Sequence, residues 1–198
     1  MATLNIAYSK KRDIDMWLDF KSGDRDAFDH IFYLYVNQLI SYGKKITTND
    51  ALIDDCIQEM FLDLWLKRER LGETHSIKFY LLKTLRRRIL VAIKKEAKSE
   101  CFDNEEMVNY ASDFKASLES RLSLEDTGDL KQVFEKLTPM QKEVIYLKFY
   151  NDLSFDEISE SLDIKKKVLY NCLSKAMITF RSHLKKAVLI LISLIHFI

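Results

Sequence analysis

A chain of 198 residues is long enough to bury a real core and to divide into two small domains rather than one large one. With 47% hydrophobic and 31% charged residues but only Gly 4 and Pro 1, long helices are favoured over turn-rich sheets, and the expected fold class is all-α. A net charge of +1 names no partner by itself; Cys56, Cys101 and Cys172 lie far apart and the four histidines are scattered, so neither a disulfide framework nor a metal site is signalled, and no cofactor is expected.

The N-terminal MATLNIAYSKKRDIDMW lacks the apolar core of a secretory signal, and with the cysteine usage this fits a reducing cytoplasm. Residues 13–22 (DIDMWLDFKS) read as a short amphipathic helix stopped by Gly23. A second helix starts near Asp26, an acid suited to a first turn, and carries Phe28, Ile31, Phe32, Tyr35 and Leu39 at steps of three and four. A third runs from about Ala51 to Arg70. It bears an apolar stripe of Ile57, Phe61, Leu64 and Trp65, while Asp55, Glu59 and Asp63 recur at i, i+4, i+8 on another face. Like charges so spaced cost a few tenths of a kcal/mol per pair, so something must compensate. A fourth helix follows Ser76, with Phe79, Leu82, Leu85, Ile89 and Ile93 toward the core and Tyr80 open to either role.

Charge then changes sign. Lys78 to Lys98 holds eight basic residues against one acid, Glu96, whereas Glu100 to Asp129 holds nine acids against two bases. The acidic stretch has weak apolar periodicity and reads as a linker between two helical domains. Beyond it, Thr138, Pro139 and Gln141 fit an N-cap, first helical residue and capping-box partner, predicting a helix from Pro139 to about Tyr150 with Asn151 as a left-handed stop. Ser154 and Glu157 repeat the box for a helix over 155–161. LDIK, residues 162–165, is short enough for a tight turn with Asp163 left-handed. From Lys166 a last helix aligns Leu169, Leu173, Ala176, Phe180 and Leu184.

Lys165, Lys166 and Lys167 crowd the positive end of that helix, a placement that costs on the order of a few tenths of a kcal/mol each and that a polyanion would reverse. A solvated basic helix end is the plain reading. The two capping boxes, the short turn and the helix lengths together favour duplex DNA, with the helix in the major groove and Asn171 at base edges.

LTPMQKEVIYLKFYNDLSFDEISESLDIKKKVLYNCLSKAMITFRSHL resembles the fourth conserved region of bacterial sigma factors, and AFDHIFYLYVNQLISYGKKITTNDALIDDCIQEMFLDLWLKR with SIKFYLLKTLRRRILVAIKK resembles the second. With these two and a linker, the chain is similar to the extracytoplasmic-function class of the sigma-70 family over most of residues 15–184. The resemblance implies region 2 over 12–98, a linker over 99–128, region 4 over 129–186 and an apolar tail over 187–198. It implies core RNA polymerase and promoter DNA as partners, admits an anti-sigma factor, and involves no small-molecule substrate and no catalysis.

By that resemblance, Asp54, Asp55, Gln58, Glu59 and Leu62 contact polymerase. Lys78, Tyr80, Lys83, Arg86, Arg87, Lys94 and Lys95 serve the minus-ten strand, where cations track phosphate and a ring can stack on an unpaired base. Lys165, Lys166, Lys167, Val168, Asn171, Cys172 and Lys175 serve the minus-thirty-five duplex. Paired carboxylates could instead suggest acid-base catalysis, but no cleft, metal or histidine accompanies them. The chain departs from its relatives at Arg86-Arg87, where Arg-Asn is frequent, and at Val91, where an acid is frequent. Asp163 stands for the usual turn glycine, Lys165 for a Ser cap, and Tyr170 and Cys172 for basic residues.

The tail AVLILISLIHFI has 12 residues and as a helix would span about 18 Å, short of the roughly 30 Å hydrocarbon core, so a stable membrane span is not expected. Packing onto its own domains or a partner is favoured over lipid contact. The alternative to a sigma factor is a stand-alone helix-turn-helix regulator with an N-terminal sensing or dimerising domain.

Overall fold

The computed structural model describes residues 12–99 and 133–183; the predicted linker from residue 100 on, the apolar tail and Leu184 lie outside the described residues, while Ser99, expected to open the linker, is helical. The chain divides into two compact units, within residues 1–108 and 109–198. The described residues form helices and connections, without a strand.

In the first unit, α1 (Asp13–Lys21), α2 (Arg25–Gly43), α3 (Asp50–Lys67) and α4 (Ile77–Ser99) pack as a bundle. Gly23 takes φ +95°, the left-handed conformation that ends α1 and turns the chain into α2. The Asp24 carboxylate then caps α2, accepting from the N–H groups of Asp26 and Ala27. Asn49 caps α3 by accepting from Leu52 N–H at 3.1 Å. The predicted third helix extends to Arg70, but α-geometry stops at Lys67 and Arg68–Arg70 tighten into a 3-10 turn. Ser76 caps α4 through Phe79 N–H at 3.2 Å, and Asp13 of α1 accepts from Ile77 N–H at 2.9 Å, tying the first helix to the start of the last.

Burial follows the periodicity. Ile31, Tyr35 and Leu39 of α2 meet Ile53, Ile57, Met60, Phe61 and Leu64 of α3 and Leu81, Leu82, Leu85 and Ile89 of α4, all buried. Phe79 and Ile93, expected in the core, are only half-buried, and Ile77 and Leu81 fill the stripe instead. At Gly43 the backbone of α2 comes so near α3 that an added Cβ would lie 2.6 Å from Ile53 Cγ2.

In the second unit, α5 (Pro139–Ile145), α6 (Phe155–Leu162) and α7 (Lys166–His183) enclose Val144, Leu147, Leu153, Ile158, Leu169, Ala176 and Phe180. Both capping boxes form as read: Thr138 with Gln141, and Ser154 with Glu157. The helix begun at Pro139 is not uniform to Tyr150, because Tyr146–Tyr150 widen into a π-turn. The stop also differs. Asn151 stays right-handed and buried, and the exposed Asp152 takes φ 54° in its place, a carboxylate being easily solvated there.

Asp163 is left-handed as expected, with φ 54° and ψ 45°, and its N–H and that of Ile164 both reach Ser159 O. Glycine would hold this conformation without Cβ strain, partly offset by its greater freedom when unfolded. Asp163→Gly is therefore expected to stabilise the second unit by up to about 1 kcal/mol, read as a higher urea midpoint.

Candidate functional site

One face of α3 is left to solvent. Asp54, Asp55, Gln58, Glu59 and Leu62 are all exposed, and Leu62 at 59% and Leu66 at 67% are large apolar side chains without cover in this unit. The opposite stripe is the buried one, so helical phase alone divides core from surface. Cys56 lies on the buried side, and burial pushes its thiol pKa up.

The carboxylate ladder along α3 carries its own counter-ion. Arg88 of α4 reaches Glu59 at 3.4 Å and also pairs with Asp63, which Lys67 holds from its other side at 2.9 Å. The compensation expected from outside is thus partly internal, and it falls on the Glu59–Asp63 end. Asp54 and Asp55 make no ion pair among the described residues.

Hydrogen bonds from Lys67 and then Arg88 hold the Asp63 carboxyl below the usual carboxylate range. A carboxylate more acidic folded than unfolded stabilises the fold above the usual range and loses that contribution as pH falls through its folded value. Asp63→Asn is therefore expected to be less stable than the parent at pH 7, with the gap narrowing as pH is taken below the usual carboxylate range. Urea unfolding of both proteins at pH 7 and along a descending pH series checks it.

On α4, Lys83, Arg87 and Lys94 recur at i, i+4 and i+11 and share the outward face with the exposed Val91; Lys95 is also exposed and Arg86 half-exposed. Lys83 Nζ stands 5.8 Å from the Phe79 ring centroid. Lys78, five residues before Lys83, lies about 140° round the helix and does not join that stripe. Tyr80 is half-buried against Trp17, with ring centroids 5.1 Å apart, and burial raises its hydroxyl pKa. It belongs as much to the packing of α1 as to a stacking platform.

Lys165 just before α7 and Lys166, Lys167, Val168, Asn171 and Lys175 on it are exposed, and Cys172 is half-buried, its thiol pKa pushed up by burial. One of the three lysines is already engaged: Lys166 pairs with Asp156 of α6. The exposed Tyr170 ring lies 4.9 Å from Phe155, which in turn has Lys148 Nζ 4.8 Å from its centroid.

Sequence reasoning missed Arg88, Leu66 and the Lys148–Phe155–Tyr170 group. Leu66 had a signal, sitting one turn beyond Leu62. Arg88 had a weaker one: within the run Arg86-Arg87-Arg88 it alone has the helical phase that turns toward α3.

Comparison with protein families places Sigma-70 region 2 on residues 31–99 and Sigma-70, region 4 on residues 127–188. The chain belongs to the sigma-70 family. Chains of this family bind core RNA polymerase and direct it to promoters to initiate transcription, and that is the function of this sigma factor. Regions 2 and 4 with only residues 100–126 between the matched segments form the two-region layout of the extracytoplasmic-function class.

Solved structures agree on the fold. The sigma factor is similar to the sigma factor RpoE in its co-crystal with the anti-sigma factor NepR from Bartonella quintana, with 17% identity, a TM-score of 0.56, and coverage of 80% of this chain and 97% of that one. It is also similar to CnrH in complex with the cytosolic domain of CnrY, with 16% identity, a TM-score of 0.54, and coverage of 87% and 97%. Comparison with curated protein sequences gives no match. Among the described residues, no helix is long and apolar enough to cross a membrane.

Proposed function

We propose a division of labour for this sigma factor in which residues 12–98 dock on polymerase and hold the melted minus-ten strand, and residues 129–186 grip the minus-thirty-five duplex. The exposed α3 face supports the first assignment. Its outward carboxylates at Asp54 and Asp55, with Gln58, Glu59 and Leu62 beside them, suit a basic partner with an apolar centre.

The outward cations of α4, Lys83, Arg87 and Lys94, with Arg86 and Lys95 beside them, suit a displaced strand, and Lys78 and Tyr80 complete the set at its margin. On α7, Lys165, Lys167 and Lys175 suit phosphate, and Val168, Asn171 and Cys172 complete the duplex-facing set, with Lys166 available once released from Asp156. The chain acts without catalysis of its own, in the cytoplasm where polymerase and promoters meet. An anti-sigma factor is a further partner, a reading supported by the presence of NepR on the matched RpoE.

The test is reconstitution with core polymerase. The chain should co-elute with core, its promoter affinity should be weak alone and rise when core is added, and transcript start sites should change. Tight operator binding without polymerase, with start sites unaltered, is the behaviour of a stand-alone regulator and would overturn the proposal.

A further inference from the structure

The face of α7 that a duplex would meet is unusual in its chemistry. Lys167, Tyr170, Asn171, Ser174, Lys175 and Ile178 are all exposed and follow one another at alternating steps of three and one, so they share one side of the helix. In a helix-turn-helix, it is the N-terminal part of the recognition helix whose side chains reach base edges. Tyr170 and Asn171 occupy the middle of that part.

Tyr170 is half-exposed, at 51%, and it is braced: the Phe155 ring lies 4.9 Å away at an interplanar angle of 48°. A ring already fixed by a neighbour loses little freedom when it docks. Its ring offers apolar carbon surface beside the hydroxyl, and the apolar group that the major groove offers is the C5-methyl of thymine. Asn171 carries an acceptor and a donor side by side, which match the N6 amino group and N7 of adenine.

Guanine asks for something else. Its N7 and O6 are both acceptors, matched by arginine or lysine donors; the helix has no arginine between Lys165 and Phe180, and the lysines of this face, Lys167 and Lys175, flank the Tyr170–Asn171 pair rather than coincide with it. Lys166 is paired with Asp156, and Lys165 and Lys167 sit at the helix start, where phosphates are held.

We propose that the upstream element is read as A·T pairs, with Tyr170 packing on a thymine methyl and Asn171 pairing with an adjacent adenine, rather than as guanines. The inference rests on α7 being the recognition helix of a sigma factor and assigns the base class that it selects.

The test is selection from a randomised upstream duplex, run with reconstituted holoenzyme and also, at low salt, with the full chain alone. A and T are expected at neighbouring positions. Replacing the selected thymine by deoxyuridine removes one methyl and should weaken binding about three- to fourfold. Tyr170→Phe should keep that sensitivity and Tyr170→Ala should lose it. Asn171→Ala should lower adenine preference at one position by at least about fivefold. Both positions are exposed, and circular dichroism verifies that the variants fold.

Guanine at the selected positions, or equal binding of thymine and deoxyuridine duplexes by the parent, would overturn the assignment. Failure to join core polymerase is a separate result. It removes the sigma role, while selection by the chain alone still reads out base preference.

Discussion

Leu62→Asp is expected to lower affinity for core polymerase by at least about thirtyfold while costing the first unit no more than about 1 kcal/mol of stability, from the weaker helix propensity of aspartate and its nearness to Glu59. Leu62 is 59% exposed on α3, so nothing in the core depends on it. In the proposed complex it lies at the apolar centre of a face whose borders are Asp54, Asp55, Gln58 and Glu59. A carboxylate there must be desolvated among groups chosen for an alkyl chain, and losses of about 2 kcal/mol or more are usual for central interface positions. That energy corresponds to the thirtyfold figure. Leu62→Met should bind nearly as the parent does. Fluorescence anisotropy with labelled chain and core polymerase reads the affinity, and thermal unfolding verifies the fold; parent-like affinity in the aspartate variant would move the interface off this face.

Trp17→Ala should produce the largest loss of stability, about 3–5 kcal/mol in the first unit. Trp17 is 1% exposed, donates from its indole N–H to Gly72 O at 2.9 Å, and lies against Phe20 at 5.2 Å and Tyr80 at 5.1 Å. Removing it opens a cavity where α1 meets α4 and withdraws the support of Tyr80. Trp17→Phe separates volume from hydrogen bonding. Gly72 is exposed, so water replaces the lost donor, and the phenylalanine variant should retain more than half of the lost stability. Urea titration of the three proteins checks the order. The result bears on function as well as folding, because Trp17 precedes the matched region 2 segment, which begins at residue 31. A chain trimmed to the matched segment would lack a wall of its own core.

What could be read from the sequence was whatever depends on near neighbours. The Thr138–Gln141 and Ser154–Glu157 boxes and the left-handed Asp163 involve residues within one turn, and all formed as expected. Helix identity and the buried Ile57, Phe61 and Leu64 of α3 followed from period alone, although Trp65, expected on the same stripe, is only half-buried. The departures arise where two or more local solutions have similar energies. Asn151 and Asp152 both tolerate left-handed backbone, and packing decided between them: Asn151 is drawn inside, leaving Asp152 to make the turn. The π-turn at Tyr146–Tyr150 has no sequence signature in the spacing of its apolar residues.

Pairings across helices were the least accessible. Arg88 with Glu59 and Asp63, and Lys166 with Asp156, join residues whose proximity depends on how helices cross, and periodicity is silent on crossing. As a result the acidic ladder of α3 looked wholly available and is partly occupied. The outward residues of the two proposed DNA-facing helices were identifiable by type and phase, except that Lys78 and Tyr80 turn aside from the α4 stripe.

The close approach at Gly43 sets a rule for substitution at two positions 10 apart in the chain. Since a methyl at 43 would overlap the γ-carbon of Ile53, alanine can enter only if position 53 first gives up bulk, and trimming Ile53 alone leaves a hole. Each single change is harmful, while the matched double change, Gly43→Ala with Ile53→Ala, is expected to cost less than the two single changes added together. Volume is exchanged between the two helices like a shared quota, and these two sites can vary only as a couple.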